Sequence, residues 1–168
     1  MMISILFVCL GNICRSPMAE FVMKDLVRRK NLEGEFSIAS AATSDDEIGN
    51  PVYPPVRRLL EARGISCAGK TAQRLQRSDY ALYDYIVGMD EGNRRDMLRL
   101  FGGDPQGKVS LLLDFTDHPR GVADPWYTRD FTAAERDIDA GCAALLEHIL
   151  NERASDRENG CFIHPTRA

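Results

Sequence analysis

A short apolar run near the N terminus constrains this chain more than any other feature of its sequence. Apart from Ser4, residues 2–9 are all apolar. The run is far shorter than the ~20 residues that span a membrane, and it lacks the basic segment that precedes the apolar part of a signal peptide. It therefore predicts a β-strand buried on both faces of a parallel sheet, and we expect no membrane association.

The rest of the chain alternates between strand-like and helix-like patterns. Three further strands are predicted at residues 36–42, 83–89 and 109–113. Helices are predicted over residues 16–30, 55–63 and 91–101, and from a Thr132-x-x-Glu135 capping box onward. Strands that alternate with helices pair in parallel, so the pattern predicts an α/β fold: a three-layer sandwich with a four-stranded parallel sheet flanked by helices.

The length of 168 residues fits one domain. We expect this domain to occupy residues 1–152. From residue 153 onward the chain is polar apart from residues 161–163. Residues 153–168 are therefore predicted to form a poorly ordered polar tail.

Composition and charge narrow the function. The net charge of −4 provides no global basic field for nucleic acid. The odd number of five cysteines fits reduced thiols in the cytoplasm better than a disulfide framework. The three histidines are scattered, without a cysteine–histidine pair at zinc spacing. We expect a cytoplasmic monomer that needs neither a metal nor another cofactor.

The segment after the first strand carries the strongest functional signal. It reads Cys9-Leu10-Gly11-Asn12-Ile13-Cys14-Arg15-Ser16 and leads into a helix that starts at Ser16-Pro17. Backbone N–H groups at such a junction bind anions, and the helix dipole adds positive charge. Gly11 and Asn12 tolerate the positive φ that a tight cradle requires, and Arg15 offers a planar fork for two phosphate oxygens. The segment predicts a phosphate-binding loop.

Cys9 is predicted to point into this loop from the end of the strand. The field that binds a dianion also favours a thiolate, and a thiolate facing a phosphoryl group is a positioned nucleophile. The alternative is a buried, passive Cys9 and a surface Arg15, because Cys-x5-Arg alone is a common pattern. The preceding strand and the Ser16-Pro17 helix start favour the catalytic interpretation.

Cleavage of a phosphate ester also needs a proton on the leaving oxygen, which a carboxylic acid can supply. Three candidates, Asp114, Asp117 and Asp124, follow the fourth predicted strand. Asp104-Pro105 is a rival, but its Gly-Gly-Asp-Pro-Gln-Gly context is typical of a turn. The residues alone favour Asp124 only slightly, because Pro125 stiffens its loop and the adjacent aromatic residues offer a wall for a flat substrate.

The segment from Val8 to Pro17 resembles the signature of low-molecular-weight protein tyrosine phosphatases. Four further stretches resemble the same family: Ser40-Ala41-Ala42-Thr43, Ile48-Gly49-Asn50-Pro51, Met89-Asp90-Glu91 and Asp124-Pro125-Trp126-Tyr127. The resemblance covers residues 2–152 and implies the same four-stranded fold. It also implies hydrolysis of phosphotyrosine in protein substrates, with a cognate tyrosine kinase as a further candidate partner.

The resemblance implies a role for each residue of the site. Cys9 attacks phosphorus, and Asp124 protonates the leaving oxygen and then activates the water that hydrolyses the phosphocysteine. Arg15 and the N–H groups of the loop residues Leu10, Gly11, Asn12, Ile13 and Cys14 hold the phosphate oxygens.

Supporting roles follow from the same resemblance. Ser16 hydrogen-bonds the Cys9 thiolate, and Asn12 fixes the loop through contact with Ser40. Cys14 forms a reversible redox switch with Cys9, unless it is only a passive buried thiol.

Three alternative functions share parts of these patterns. Protein arginine phosphatases resemble this family but carry Thr where Ile13 stands. Arsenate reductases of this architecture need extra cysteines, and none lies between Cys67 and Cys142. A phosphotyrosine-binding module would need neither the nucleophile nor the acid.

A distant alternative is a nucleotide-binding protein. Residues 64–71, Gly-Ile-Ser-Cys-Ala-Gly-Lys-Thr, match the pattern of a nucleotide-binding P-loop. Such a loop must follow a strand, whereas this one follows a predicted helix. Gly64 is better explained as the residue that ends that helix.

The substrate pocket is expected to include Asp46, Trp126 and Tyr127. Relatives usually carry an aromatic or apolar residue at the position of Asp46. Many relatives also carry His where Gly69 stands, so the contacts that support the site are expected to differ. A carboxylate at position 46 predicts weak binding of small aryl phosphates and a preference for basic residues beside the phosphotyrosine.

Overall fold

The computed structural model describes residues 2–160. Four parallel strands form its central sheet, in the order β2-β1-β3-β4. The strands are β1 (Ile3–Cys9), β2 (Phe36–Ala42), β3 (Tyr85–Gly88) and β4 (Val109–Leu111). The predicted three-layer α/β fold is therefore confirmed, although β3 and β4 are shorter than predicted. The chain after β4 turns into a 3₁₀ helix at Leu112–Phe115, where the Asp114 carboxylate accepts a hydrogen bond from the N–H of Leu111.

Six α-helices connect and cover the strands within the described part of the chain. They are α1 (Arg15–Arg29), α2 (Pro54–Ala62), α3 (Asp79–Leu82), α4 (Glu91–Phe101), α5 (Pro125–Thr128) and α6 (Phe131–Gly160). The single turns α3 and α5 are absent from the sequence prediction because four residues are too few to show a helical period.

The helices enclose β1 from both faces. Successive side chains of a strand point to opposite faces, and accordingly Ile5 and Phe7 join the core that contains α1 and α6. Leu6 and Val8 join the second core, on the side of α4. This arrangement explains why the first strand is apolar without alternation.

Two predicted helix starts differ from the structure. Position Cys14, rather than Ser16, precedes the first residue of α1, and the Ser16 hydroxyl contacts Cys9 and Asn12 instead. At α6 the Asp130 carboxylate accepts a hydrogen bond from the N–H of Ala133 at 2.9 Å, so the predicted Thr132-x-x-Glu135 box is not the start. At α1 no side chain makes a capping hydrogen bond, whereas at α6 Asp130 takes the capping contact.

Helix α6 continues to Gly160 and so includes the first half of the predicted polar tail, residues 153–168. Side chains on this part of α6 reach the body of the protein: Arg153 pairs with Glu35 at 3.0 Å, and Glu152 accepts a hydrogen bond from the Tyr85 hydroxyl. These polar contacts extend the helix where the apolar stripe has ended. Residues 161–168, the rest of the predicted tail, lie outside the described residues.

The strand register brings four loops to one edge of the sheet. Cys9 at the end of β1 pairs with Ala42, the preceding Val8 pairs with Gly88, and Gly88 pairs with Leu111. The loops after all four strands therefore meet at the carboxyl ends of the strands, where open α/β sheets bind ligands. Within residues 2–160, the helices are all too short or too polar to cross a membrane.

Candidate active site

A pocket of about 160 Å³ opens at the carboxyl edge of the sheet. The seven consecutive residues from Cys9 to Arg15 line it. The loop after β2 adds Ser44, Asp46 and Glu47, and the segment around α5 adds Asp124, Trp126 and Tyr127. The structure thus brings together all the residues predicted to contact substrate, whereas Ser16 and Ser40 lie buried behind the loop.

The Cys9 thiol lies at the centre of the loop. Its Sγ is 2.9 Å from the Ser16 hydroxyl oxygen and accepts a hydrogen bond from the backbone N–H of Asn12 at 3.3 Å. These two polar contacts hold the sulfur in place at the end of β1. A cysteine held this way, at the mouth of a helix N terminus, has the environment of a nucleophile.

Asn12 holds the loop in its shape. Its φ of 57° lies in the left-handed region, which Asn tolerates better than most residues. The side-chain carbonyl accepts from the N–H of Gln73, and the amide NH₂ donates to Ser16 and Ser40 at 2.8 and 2.9 Å. Gly11 does not adopt the positive φ that was predicted for it, and a Cβ there would make only an ordinary contact with Cγ of Glu47 at 3.4 Å.

Arg15 lies buried between two carboxylates. Its Nη1 donates to Asp90 at 2.7 Å and to the carbonyl of Val122 at 2.9 Å, and its Nη2 lies 3.3 Å from Asp124. Burial acts to lower the pKa of Arg15, but the negative charges of Cys9, Asp90 and Asp124 outweigh it and raise the pKa overall. The guanidinium therefore stays charged and is fixed on one side by Asp90.

Asp90 is a site residue whose contact with Arg15 the sequence analysis missed. It lies two residues after Gly88, the last residue of β3, and its Oδ1 caps α4 by accepting from the N–H of Asn93 at 2.9 Å. An acidic residue at the carboxyl end of a predicted parallel strand is a usable signal for such a contact. Ser44 and Glu47 were missed as well, because they lie in an irregular loop.

Of the acids considered as proton donors, Asp124 is the one that lines the pocket and contacts Arg15. Its Oδ1 accepts from the N–H of Trp126 at 3.0 Å, which caps α5, and its Oδ2 faces Arg15. The rival acids are engaged elsewhere. Asp114 bonds Arg94 at 2.6 Å, Asp104 stabilises a turn through the N–H of Lys108, and Asp117 is exposed outside the set of pocket-lining residues.

Aromatic side chains anchor the segment that carries Asp124. The Trp126 ring packs on Tyr53 with centroids 5.1 Å apart, and Tyr53 packs on Phe131 at 5.8 Å. The backbone N–H of Tyr53 donates to the carbonyl of Ile13 at 2.9 Å, which connects this cluster to the phosphate loop. Tyr127, 76% exposed, stands at the rim.

The loop after β2 contributes two acidic residues to the lining of the pocket. Asp46 is exposed, whereas Glu47 is half-buried and accepts a hydrogen bond from the Asn50 side chain at 2.6 Å. Two carboxylates at the entrance of an anion pocket disfavour small dianions and favour cationic groups beside them.

Cys14 is a second buried thiol of the loop. Burial, together with the negative charges of Cys9 and Asp124, raises the pKa of Cys14 to about 12. It therefore remains a protonated thiol at neutral pH, unlike a residue that attacks phosphorus.

The nucleotide-binding pattern at residues 64–71 lacks the required structural context. Gly64, with φ 72°, follows the end of α2 rather than a strand. The side chain of Lys70 is used internally, because its Nζ donates to the carbonyl of Ser40 at 3.0 Å and pairs with Glu20. Among residues 2–160, His, Cys, Asp and Glu side chains form no group that could hold a metal ion.

Comparisons with known proteins agree on one family. Residues 4–155 match the family model described as low molecular weight phosphotyrosine protein phosphatase. The low molecular weight protein-tyrosine-phosphatase YfkJ of Bacillus subtilis is 39% identical over 154 residues, which cover 90% of this chain and 99% of that protein. The low molecular weight phosphotyrosine protein phosphatase of Sus scrofa is 38% identical over 151 residues, covering 87% of this chain and 95% of the relative.

Solved structures give the same result. The crystal structure of YfkJ matches with a TM-score of 0.88 and covers 90% of this chain and 97% of its own. A crystal structure described as a Drosophila arginine phosphatase also matches, with a TM-score of 0.77 at 29% identity, covering 86% of this chain and 96% of its own.

Proposed function

The chain belongs to the low-molecular-weight phosphotyrosine protein phosphatase family and is a protein tyrosine phosphatase, and from this premise we propose that Cys9 is its nucleophile and Asp124 its general acid. One observation carries the proposal: Sγ of Cys9 lies within hydrogen-bond distance of the Ser16 hydroxyl and accepts from the N–H of Asn12, in a pocket that Arg15 and Asp124 also line. Membership of the family defines the reaction, which is hydrolysis of a phosphate monoester on a protein substrate.

The first step transfers the phosphoryl group to sulfur. Arg15 holds the phosphate through Nη2 while Asp90 and Val122 occupy Nη1, so the guanidinium cannot turn away. A bound phosphate competes with Asp124 for Nη2, which frees the carboxyl group to face the leaving oxygen. The Cys9 sulfur attacks phosphorus, the bond to the tyrosine oxygen breaks, and Asp124 gives that oxygen its proton.

The second step releases inorganic phosphate. Asp124, now ionised, takes a proton from water as the water oxygen attacks phosphorus. The sulfur–phosphorus bond breaks, and the thiolate is received again by the hydrogen bonds from Ser16 and Asn12. Donors that are already in place where negative charge develops lower the barriers of both steps.

Features of the pocket support an aromatic substrate. Trp126 and Tyr127 stand on one wall, and buried Ile13 lines the loop. The similarity to an arginine phosphatase means that the fold alone does not choose the phosphoamino acid. Phosphotyrosine is the substrate given by the family, and phosphoarginine is the alternative that an assay must include. A cognate tyrosine kinase as a partner remains part of the proposal.

We also propose that the Cys9–Cys14 pair is redox-sensitive and that the enzyme works in the cytoplasm. Cys9, Cys14, Cys67 and Cys142 are free thiols. A thiolate nucleophile needs a reducing compartment to remain active.

Variants of Cys9 and Asp124 test this assignment in one assay without metal, on phosphotyrosine, phosphoserine and phosphoarginine peptides. Cys9→Ser is expected to abolish turnover of phosphotyrosine yet still bind vanadate, because Arg15 and the loop N–H groups remain. Asp124→Ala is expected to slow aryl phosphates with poor leaving groups by about 10²–10⁴-fold and those with good leaving groups far less. Turnover by Cys9→Ser would contradict the nucleophile, and an equal loss across leaving groups would contradict the acid.

A further inference from the structure

A buried ion pair lies behind the phosphate loop. Lys70 Nζ is 3.2 Å from Oε1 of Glu20, and their side chains are only 10% and 5% exposed. Lys70 belongs to the Gly-rich stretch at residues 64–71 that the catalytic proposal leaves unused. Taking two charges out of water is costly, and in some proteins such a pair fixes one arrangement of polar groups.

A chain of hydrogen bonds connects this pair to the nucleophile. The Ser40 hydroxyl donates to Oε1 of Glu20 at 2.6 Å. The Asn12 side chain donates to the Ser40 oxygen at 2.9 Å and to the Ser16 oxygen at 2.8 Å. The Ser16 oxygen lies 2.9 Å from Sγ of Cys9. All of these groups are buried, so water does not readily replace a lost partner.

Counting hydrogens fixes the direction of every bond in the chain when Cys9 is a thiolate, which can only accept. The N–H of Gln73 must donate to the carbonyl oxygen of Asn12, so the NH₂ group of Asn12 faces the two serines. An amide nitrogen only donates, so both serine oxygens accept from Asn12. Each serine then has one hydrogen left. Ser40 gives its hydrogen to Glu20, and Ser16 gives its hydrogen to Cys9.

This direction requires an ionised Glu20. If Oε1 of Glu20 carried a proton, Ser40 would lose its acceptor and would turn its hydrogen towards Asn12. Lys70 opposes that change in two ways. It places a positive charge beside Oε1, and its Nζ donates to the backbone carbonyl of Ser40 at 3.0 Å, which holds this part of β2 in place.

We propose that Lys70, through its ion pair with Glu20, is a positioning residue that keeps the single hydroxyl hydrogen of Ser16 directed at the Cys9 sulfur. The inference rests on the proposed role of Cys9 as the nucleophile. It concerns how the Cys9 thiolate is stabilised, and not the phosphoryl transfer and hydrolysis that the thiolate carries out. It also gives a use to the lysine of the nucleotide-binding pattern.

Lys24 supplies a matched comparison. It bonds the other oxygen of the same carboxylate, Oε2 of Glu20, at 2.7 Å, but its side chain is 45% exposed. An exposed pair of this kind contributes little. Both lysines neutralise Glu20, yet only Lys70 also contacts Ser40.

The test measures the reactivity of Cys9 itself. Alkylation by iodoacetamide is followed from pH 5 to 9, with the modified cysteine located by fragment mass spectrometry. Lys70→Met is expected to reduce the alkylation rate of Cys9 at pH 6 by about tenfold, because the thiolate loses about one hydrogen bond to a charged group. The alkylation rate at high pH, where it no longer depends on pH, is expected to be unchanged. The acid limb of kcat/KM is expected to shift in parallel. Lys24→Met is expected to stay within about twofold of the parent protein.

A double-mutant cycle with Ser16→Ala separates positioning from simple charge. If Lys70 acts through Ser16, Lys70→Met has no further effect once the Ser16 hydroxyl is absent. Additive effects of the two substitutions would overturn the proposal, because they would show that Lys70 acts on Cys9 directly as a distant charge.

A second variant covers the case in which Lys70→Met does not fold. Glu20→Gln combined with Lys70→Met leaves no uncompensated buried charge, and the Gln amide can offer either of its ends to Ser40. This double variant is expected to show the same shift towards higher pH. A parental profile in it would overturn the proposal. The two proposals fail in different experiments. If Cys9 is not the nucleophile, Cys9→Ser still turns over substrate, whereas the alkylation rates report the reactivity of the Cys9 thiol in either case.

Discussion

Asp46 sets the charge at the entrance of the pocket. It is exposed and lines the same pocket as Trp126, next to half-buried Glu47 in the chain. An aromatic residue at this position would stack on a phosphotyrosine ring, whereas a carboxylate repels the dianion and attracts a neighbouring Lys or Arg of the substrate.

Replacement of Asp46 is therefore expected to change substrate preference. Asp46→Tyr is expected to lower KM for small aryl phosphates by about two- to tenfold, the effect of one aromatic contact. The substitution is also expected to reduce the preference for phosphotyrosine peptides with Lys-rich over Glu-rich flanks. KM values for both peptide sets, at low and high salt, provide the measurement, and the preference is expected to be largest at low salt.

Asp45 offers the control for this experiment. It is adjacent to Asp46, but its charge is already paired with Arg74 at 3.0 Å. Asp45→Asn is expected to change the flank preference much less than Asp46→Asn. Equal effects of the two neutral variants would contradict a specific role for Asp46.

At the scale of the element, the phosphate loop holds two thiols with different chemistry. Cys9 receives hydrogen bonds at its sulfur, whereas burial raises the pKa of Cys14 to about 12. Peroxide is expected to oxidise the Cys9 thiolate to a sulfenic acid and is itself reduced to water. Cys14 then attacks that sulfur, a second water leaves, and a disulfide forms.

This order of events predicts the behaviour of Cys14→Ser. The variant is expected to keep its basal activity but to recover poorly with a dithiol after peroxide, because Cys9 proceeds to irreversible oxidation. Cys67→Ser, which alters a buried thiol outside the pocket, is the control and is expected to recover normally. Equal recovery of the parent protein, Cys14→Ser and Cys67→Ser would show that Cys14 is only a packing residue.

Formation of the disulfide is expected to accelerate as pH rises from 6 to 8, because the thiolate fraction of Cys14 increases as the pH approaches its pKa of about 12.

The segment before Asp124 packs closely against the residues that follow β3. A Cβ on Gly121, in this segment, would be 3.2 Å from Cβ of Asp90. The next residue, Val122, donates to the carbonyl of Met89 at 2.8 Å and accepts from Arg15. This close approach brings the segment carrying the acid onto the arginine.

At the scale of the whole molecule, the core contains thiols that must remain protonated. Cys142 lies on α6 against α1, where its Sγ contacts the carbonyl of Ala19 at 3.7 Å. Burial first, and the charge of Asp139 second, raise the pKa of Cys142 above the value of about 9 expected in the unfolded chain. Below pH 9 both states are protonated. Above pH 9 only the unfolded state loses the proton, so folding stability falls as pH rises.

Urea unfolding at pH 7.5 and pH 10 measures this effect. The parent protein is expected to lose roughly 1.4 kcal/mol per pH unit above 9 for each such thiol. Cys142→Ala is expected to be less stable at pH 7.5, by roughly 1 kcal/mol for the cavity, but to show a shallower decline at high pH. An unchanged decline would mean that Cys142 does not contribute to alkaline unfolding.

The sequence by itself determined the parts of this protein that are contiguous along the chain. The apolar run of β1, the loop with Cys9 and Arg15, and the start of α1 follow one another directly, so their local pattern specifies them together. The alternation of strands and helices likewise specified the parallel sheet, because its connections leave few alternatives.

Tertiary structure decided what depends on distant contacts. The residues alone left Asp114, Asp117 and Asp124 open as acids, and they missed the contact between Asp90 and Arg15. Asp90 lies 75 positions and Asp124 lies 109 positions along the chain from Arg15. Only the register of the parallel strands brings the loops that carry these two carboxylates to one edge of the sheet. In the same way, Glu35 and Tyr85 pair with side chains on α6 up to Arg153, a contact that helical periodicity within α6 does not reveal. Local sequence specifies local backbone, whereas the pairing of buried charges depends on which elements pack together.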